Sequence, residues 1–171
     1  MANIIRLNKK APVDKWVSMS NSLTSVFIDV LALSGSHLAV TDDEKRLIVW
    51  FSEKDQSAVG IGTVGFDIDE MPWNTITFED NKKFLLNTIY QAKNRFGWKL
   101  LEYIPNETFI FVALDEFTRL LEKMRMEDIQ KDALSEWLAA AESDDPVLCG
   151  FPKCKKHNTL LTYFGCHVCN N

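Results

Sequence analysis

Apolar residues in the first third of the chain recur in two rhythms. Ile4, Ile5 and Leu7 form a short apolar stretch that predicts an opening strand or extended arm. Pro12 suits the first turn of a helix, where its missing N–H is not needed. Trp16, Leu23, Phe27, Val30 and Leu31 then fall at roughly helical spacing, with Met19 and Val26 beside them. This pattern predicts an amphipathic helix ending near Ser34-Gly35, where glycine can take the left-handed cap.

The middle reads as β-rich. Leu38 to Thr41 predicts a strand turned at Asp42-Asp43, and Arg46 to Phe51 predicts another from its Ile, Val, Trp and Phe content. After a turn at Asp55-Gln56, Ala58 to Ile68 predicts a strand carrying Gly60, Gly62 and Gly65. Alternate glycines strip side chains from one face. That suits a bulge or close packing, or a strand that a partner's backbone can approach. The run is no phosphate loop, because it lacks the Gly-Lys-Ser/Thr ending and no helix start follows.

Met71-Pro72-Trp73 breaks the pattern. Thr77 is a candidate N-cap, and Phe84, Leu85, Thr88, Ile89 and Ala92 predict a second helix to about Phe96-Gly97. Trp98 to Ile104 and Phe109 to Val112 predict two further strands, separated by Pro105-Asn106. A third helix is expected from about Leu114 to Met124. A fourth runs through Ile129, Ala133, Leu134, Trp137, Leu138 and Ala141, ending at Asp144-Asp145-Pro146. The expectation is an α+β fold: a mainly antiparallel sheet flanked by about four helices over residues 1–146, with a small zinc-binding knuckle at 147–171.

A length of 171 residues supports one real core, and the 46% hydrophobic and 25% charged content is ordinary for a globular chain. No apolar run is long enough to span a membrane. Met1 to Lys10 has no long apolar core or small-residue cleavage site, so it reads as mature sequence. Net charge is −5, and the longest basic stretch is Lys153, Lys155 and Lys156. That balance argues against direct nucleic-acid binding. The acidic groups Asp42-Asp43-Glu44, Asp67 with Asp69 and Glu70, and Glu142 with Asp144 and Asp145 suit a solvated surface or one complementary to a basic protein.

The candidate chemistry sits at the end of the chain. All four cysteines lie there: Cys149, Cys154, Cys166 and Cys169. A secreted disulfide scaffold would spread them through the fold. Cys154/His157 and Cys166/Cys169 are each separated by two residues, which lets both side chains of a pair face one ion. Two such pairs give four tetrahedral ligands suited to structural zinc. Cys149 is an alternative to His157, and His167 a lesser one. A closed set of four ligands holds structure and does not activate water.

No catalytic set accompanies it. His37 reads as an exposed loop histidine, and no Gly-x-Ser-x-Gly or His-Glu-x-x-His motif occurs. Asp67 and Asp69 would share a face of the strand, but they lack an accompanying base or third ligand and read as an acidic edge.

Several segments carry a family likeness. They are Trp16-Val-Ser-Met, Phe27-Ile-Asp-Val-Leu, Asp43-Glu-Lys-Arg-Leu-Ile-Val-Trp50, Asp55-Gln-Ser, Gly60-Ile-Gly-Thr-Val-Gly-Phe-Asp67 and Met71-Pro-Trp73, with the Asn-Lys-Lys-Phe-Leu-Leu run around Phe84. Over about the first 100 residues the chain resembles immunity proteins of contact-dependent growth inhibition systems, in the branch that neutralises nuclease toxin tips. The resemblance implies a cytoplasmic, non-enzymatic protein, a monomer that binds one cognate toxin nuclease domain one-to-one. It also implies docking in which the toxin lends a β-hairpin to the immunity protein's sheet. Asp67, Asp69, Glu70 and Trp73 are the candidate contacts. Two other classes remain open: a zinc-finger adaptor acting on nucleic acid or transcription through the tail lysines with Tyr163 and Phe164, and a metal-dependent hydrolase using the aspartates.

Overall fold

The computed structural model describes residues 2–170. About 54% of the chain is helical and only 10% is strand, in two small sheets of three and two strands. The expected mainly antiparallel sheet is therefore corrected: helices make the body and the strands lie against it.

The helix starts explain why. Helix α1 (Asn21–Leu38) begins where the Ser20 hydroxyl accepts the Leu23 N–H at 3.2 Å. It does not stop at Gly35. A Cβ there would fall 2.3 Å from Ile48 Cδ1, so this glycine lets the next helix approach rather than ending its own. Every residue from Phe27 to Ser36 is buried, which makes α1 the central element, packed on the three long helices that follow.

Helix α2 (Asp42–Ser52) replaces the predicted strand at Arg46–Phe51, while the predicted strand at Leu38–Thr41 is the end of α1 and the short link to α2. Its start is a capping box: Thr41 Oγ1 accepts the Glu44 N–H at 3.2 Å, and Glu44 Oε2 accepts the Thr41 N–H at 2.9 Å. The continuous apolar run after it is buried on all sides, so it has no period to separate helix from strand.

Helix α3 (Phe78–Lys93) follows the predicted pattern, and the chain then reverses through left-handed Arg95 and Gly97. Trp98–Ile104 is a short 3-10 turn and a loop, not a strand. Helix α4 (Glu107–Lys123) starts at the Asn106 side chain, which accepts the Thr108 N–H at 3.1 Å, and it absorbs the predicted strand at Phe109–Val112. Helix α5 (Ala133–Ala140) is the fourth predicted helix, shortened. Pro12 caps only a 3-10 turn, Val13–Lys15, and Trp16 lies outside α1.

The strands are β1 (Asn3–Arg6), β2 (Val17–Met19), β3 (Asp55–Gln56), β4 (Gly62–Thr63) and β5 (Phe66–Asp67). One sheet has the order β2-β1-β5, with β1 antiparallel to β2 and parallel to β5; the other pairs β3 with β4. The predicted strand over 58–68 is thus broken, at left-handed Gly60 and Gly62. Gly65 serves close approach, but to the chain's own backbone: a Cβ there would meet the Ile4 carbonyl oxygen at 2.2 Å.

Four phenylalanines tie these parts together. Phe27 of α1 meets Phe51 of α2 edge-on at 5.6 Å and Phe117 of α4 at 5.4 Å, and Phe51 meets Phe66 of β5 at 5.7 Å. Each such pair adds about 0.5–1.5 kcal/mol beyond the area it buries. Among the described residues no helix is long and apolar enough to cross a membrane.

Candidate metal centre

Past α5 the described residues form no long element, and local hydrogen bonds shape the segment. The Cys154 N–H donates to the Thr159 carbonyl at 2.8 Å, and the Asn158 N–H donates to the Cys154 carbonyl at 2.8 Å. With Asn158 left-handed, this closes a tight loop holding Cys154 and His157. Thr162 and Gly165 exchange backbone bonds and return the chain. A single helical turn, α6 (His167–Asn170), then follows directly on Cys166 and carries Cys169.

The result is one cluster. The ligand atoms of Cys154, His157, Cys166 and Cys169 all lie within 4.8 Å of one another. His157 Nδ1 stands 3.8, 3.5 and 3.2 Å from the sulfurs of Cys154, Cys166 and Cys169, and the Cys154 and Cys169 sulfurs are 3.7 Å apart. A tetrahedral ion with metal–sulfur bonds of about 2.3 Å and a metal–nitrogen bond of about 2.0 Å requires edges of about 3.8 and about 3.5 Å. The four distances above lie near those edges, so these four residues can hold a metal ion, and three sulfurs with one imidazole suit zinc. Cys149 stands outside, exposed, with its thiol on the Ser143 carbonyl at 3.6 Å. Geometry therefore favours His157 over Cys149 as the fourth ligand.

The surroundings prepare the donors. Burial would raise the Cys154 thiol, but the backbone N–H groups of His157 and Lys156 donate to its sulfur and carry it below its ordinary value. Burial, then the Lys156 charge, lowers His157 and keeps its imidazole neutral and able to ligate. Cys169 is pushed up to about 12, by burial first and by the neighbouring sulfurs next. Three thiols in one space cannot all ionise without a countercharge, and a divalent cation is the group that supplies it. Thr159 Oγ1 adds an outer contact to the Cys166 sulfur at 3.2 Å.

The cluster also fastens the tail to α1. Ser36 Oγ accepts the Leu160 N–H at 2.9 Å, and the Ser36 carbonyl accepts Lys153 Nζ at 2.8 Å. Between the two C-terminal cysteines, His167 turns inward and places Nε2 2.9 Å from Asp29 Oδ1, while Asp29 Oδ2 accepts the Tyr103 hydroxyl at 2.5 Å. The sequence reading passed over Asp29, although a lone acid inside the apolar run Phe27–Leu31 signals a buried polar partner.

The candidate contact residues are placed differently from the metal ligands. Asp67 is buried and paired with Arg6 Nε at 2.5 Å. Asp69 is buried and accepts from Gln130 Nε2 at 3.2 Å, and burial raises its carboxyl. Trp73 is only 2% exposed, and its indole N–H donates to the Ile68 carbonyl at 2.8 Å. Glu70 alone offers real surface, where Lys9 meets it at 3.1 Å. His37 lies in the last turn of α1, not a loop, and stacks on Phe96. Comparison of the chain with family models, curated proteins and solved structures gives no match.

Proposed function

We propose that this chain is an immunity protein. It binds and neutralises a basic nuclease toxin domain in the cytoplasm, as a monomer in a one-to-one complex, and its tail is stapled by one structural zinc. The segment resemblance and the net charge of −5 support this reading. The observation that carries it is a groove of about 450 Å³ between β2 and α4. Strand β2 is an edge of its sheet, and Phe109 and Val112 of α4 stand 60% and 61% exposed beside it. An edge strand next to exposed apolar side chains is what an added hairpin needs: backbone groups for affinity and an apolar floor for specificity.

The nucleic-acid adaptor reading is less well supported. Lys153 donates to the Ser36 carbonyl and Lys156 pairs with Glu102 at the surface, so among the described residues only Lys155 of that stretch is shown without a partner.

The test is co-purification with the C-terminal toxin domain encoded immediately upstream, followed by a DNA-cleavage assay. A tight one-to-one complex that silences cleavage is expected. Phe109→Glu and Val112→Glu, both at exposed positions, are expected to weaken it at least about tenfold without lowering the melting temperature. No complex, with cleavage unaffected, would sink the reading.

A further inference from the structure

A second cavity, of about 260 Å³, opens where the body meets the tail. Glu53, one residue past α2, forms its inner wall with Trp137 of α5, whose Nε1 donates to Glu53 Oε2 at 3.1 Å. Glu142 and Asp145 come from the link after α5, and Tyr163 and Phe164 from the tail. The lining therefore carries three carboxylates and three aromatic rings, and no cationic side chain among its residues. Lys54, beside Glu53 in sequence, lies over the Trp50 ring instead, 3.8 Å from its centroid. Asp145 is buried and gives one oxygen to the Val147 N–H at 3.0 Å. Burial pushes Glu53 up to about 7, against the pull of the Trp137 hydrogen bond, and the Asp145 charge adds to the rise.

A buried Asp145, a half-buried Glu53 and an exposed Glu142 beside aromatic faces form an environment short of positive charge. We infer that this pocket accepts an arginine side chain presented by a protein partner. The guanidinium is planar, stacks on aromatic faces and offers five donors to carboxylates. The volume lies below the roughly 300–1,000 Å³ of sites for drug-sized ligands and suits a single side chain. That the arginine belongs to a toxin domain rests on the proposed function; the chemistry of the pocket does not.

The test is a nuclear magnetic resonance titration of the metal-loaded full chain, following the Trp137 indole signal assigned with Trp137→Phe. The probes are N-acetyl-arginine amide and its neutral isostere N-acetyl-citrulline amide. A saturable shift with the arginine amide alone is expected, weakened about tenfold in Glu53→Gln. No saturable shift, or an equal response to the citrulline amide, would overturn the assignment using the unaltered protein. Because the probe is not the toxin, arginine binding without a toxin complex removes only the toxin reading. A toxin complex without arginine binding removes only the pocket.

Discussion

Glu53 shows what one residue's surroundings do to the whole chain. Its carboxyl moves from an ordinary 4.5 to about 7, chiefly through burial. Between those values the folded chain keeps a proton that the unfolded chain has released. Stability is therefore fullest below 4.5 and falls as pH rises through 7, by at most about 3 kcal/mol. The Asp145 charge presses the same way, while the Trp137 hydrogen bond and Lys54 oppose it. Glu53→Gln is expected to flatten this part of the pH profile, read as urea midpoints between pH 4.5 and 8. An unchanged slope would show that Glu53 is solvated. None of this was legible in the sequence, because Trp137 reaches Glu53 across 84 positions. That Cys154, His157, Cys166 and Cys169 come together was legible, because within each pair two intervening residues fix the geometry locally. Asp67, Asp69 and Trp73 misled for the opposite reason. Their partners Arg6, Gln130 and Ile68 are set by the fold, and polar or aromatic character alone says nothing of burial.

Elements were misread where a strong local signal was outweighed by composition. The box Thr41-Asp-Asp-Glu44 announces a helix, yet the Ile, Val, Trp and Phe that follow are strand-favouring types. Burial around α2 decides for helix, since hydrophobic contacts on every side do not require alternation. Thr41→Ala should cost about 1 kcal/mol of stability in thermal or urea unfolding, the usual loss for a helix cap. Gly65 tests the other element that the sequence left ambiguous. The Ile4 carbonyl is backbone and cannot swing aside, so Gly65→Ala should break the β1–β5 pairing and cost about 2–3 kcal/mol. Full stability in that variant would show that the two strands are not held as described. Gly60→Ala meets open space and differs only by its left-handed backbone, so its cost should be about 1 kcal/mol.

At the scale of the molecule, the tail is part of the fold rather than an appendage. Leu160 and Val168 lie in the same core cluster as the helices, and Ser36, Asp29 and Tyr103 hold the segment from below. Metal binding is then coupled to the stability of the whole chain, because the ligand set exists only in the folded state. A chelator should lower the melting temperature, and restored zinc should recover it. This coupling requires that Cys154, His157, Cys166 and Cys169 hold one ion. Native mass spectrometry of the purified chain tests it most directly. One zinc per chain is expected, retained in Cys149→Ser and lost, with a lower melting temperature, in Cys166→Ser. A metal-free mass for a stably folded chain purified with zinc present, or loss of the ion in Cys149→Ser, would contradict it.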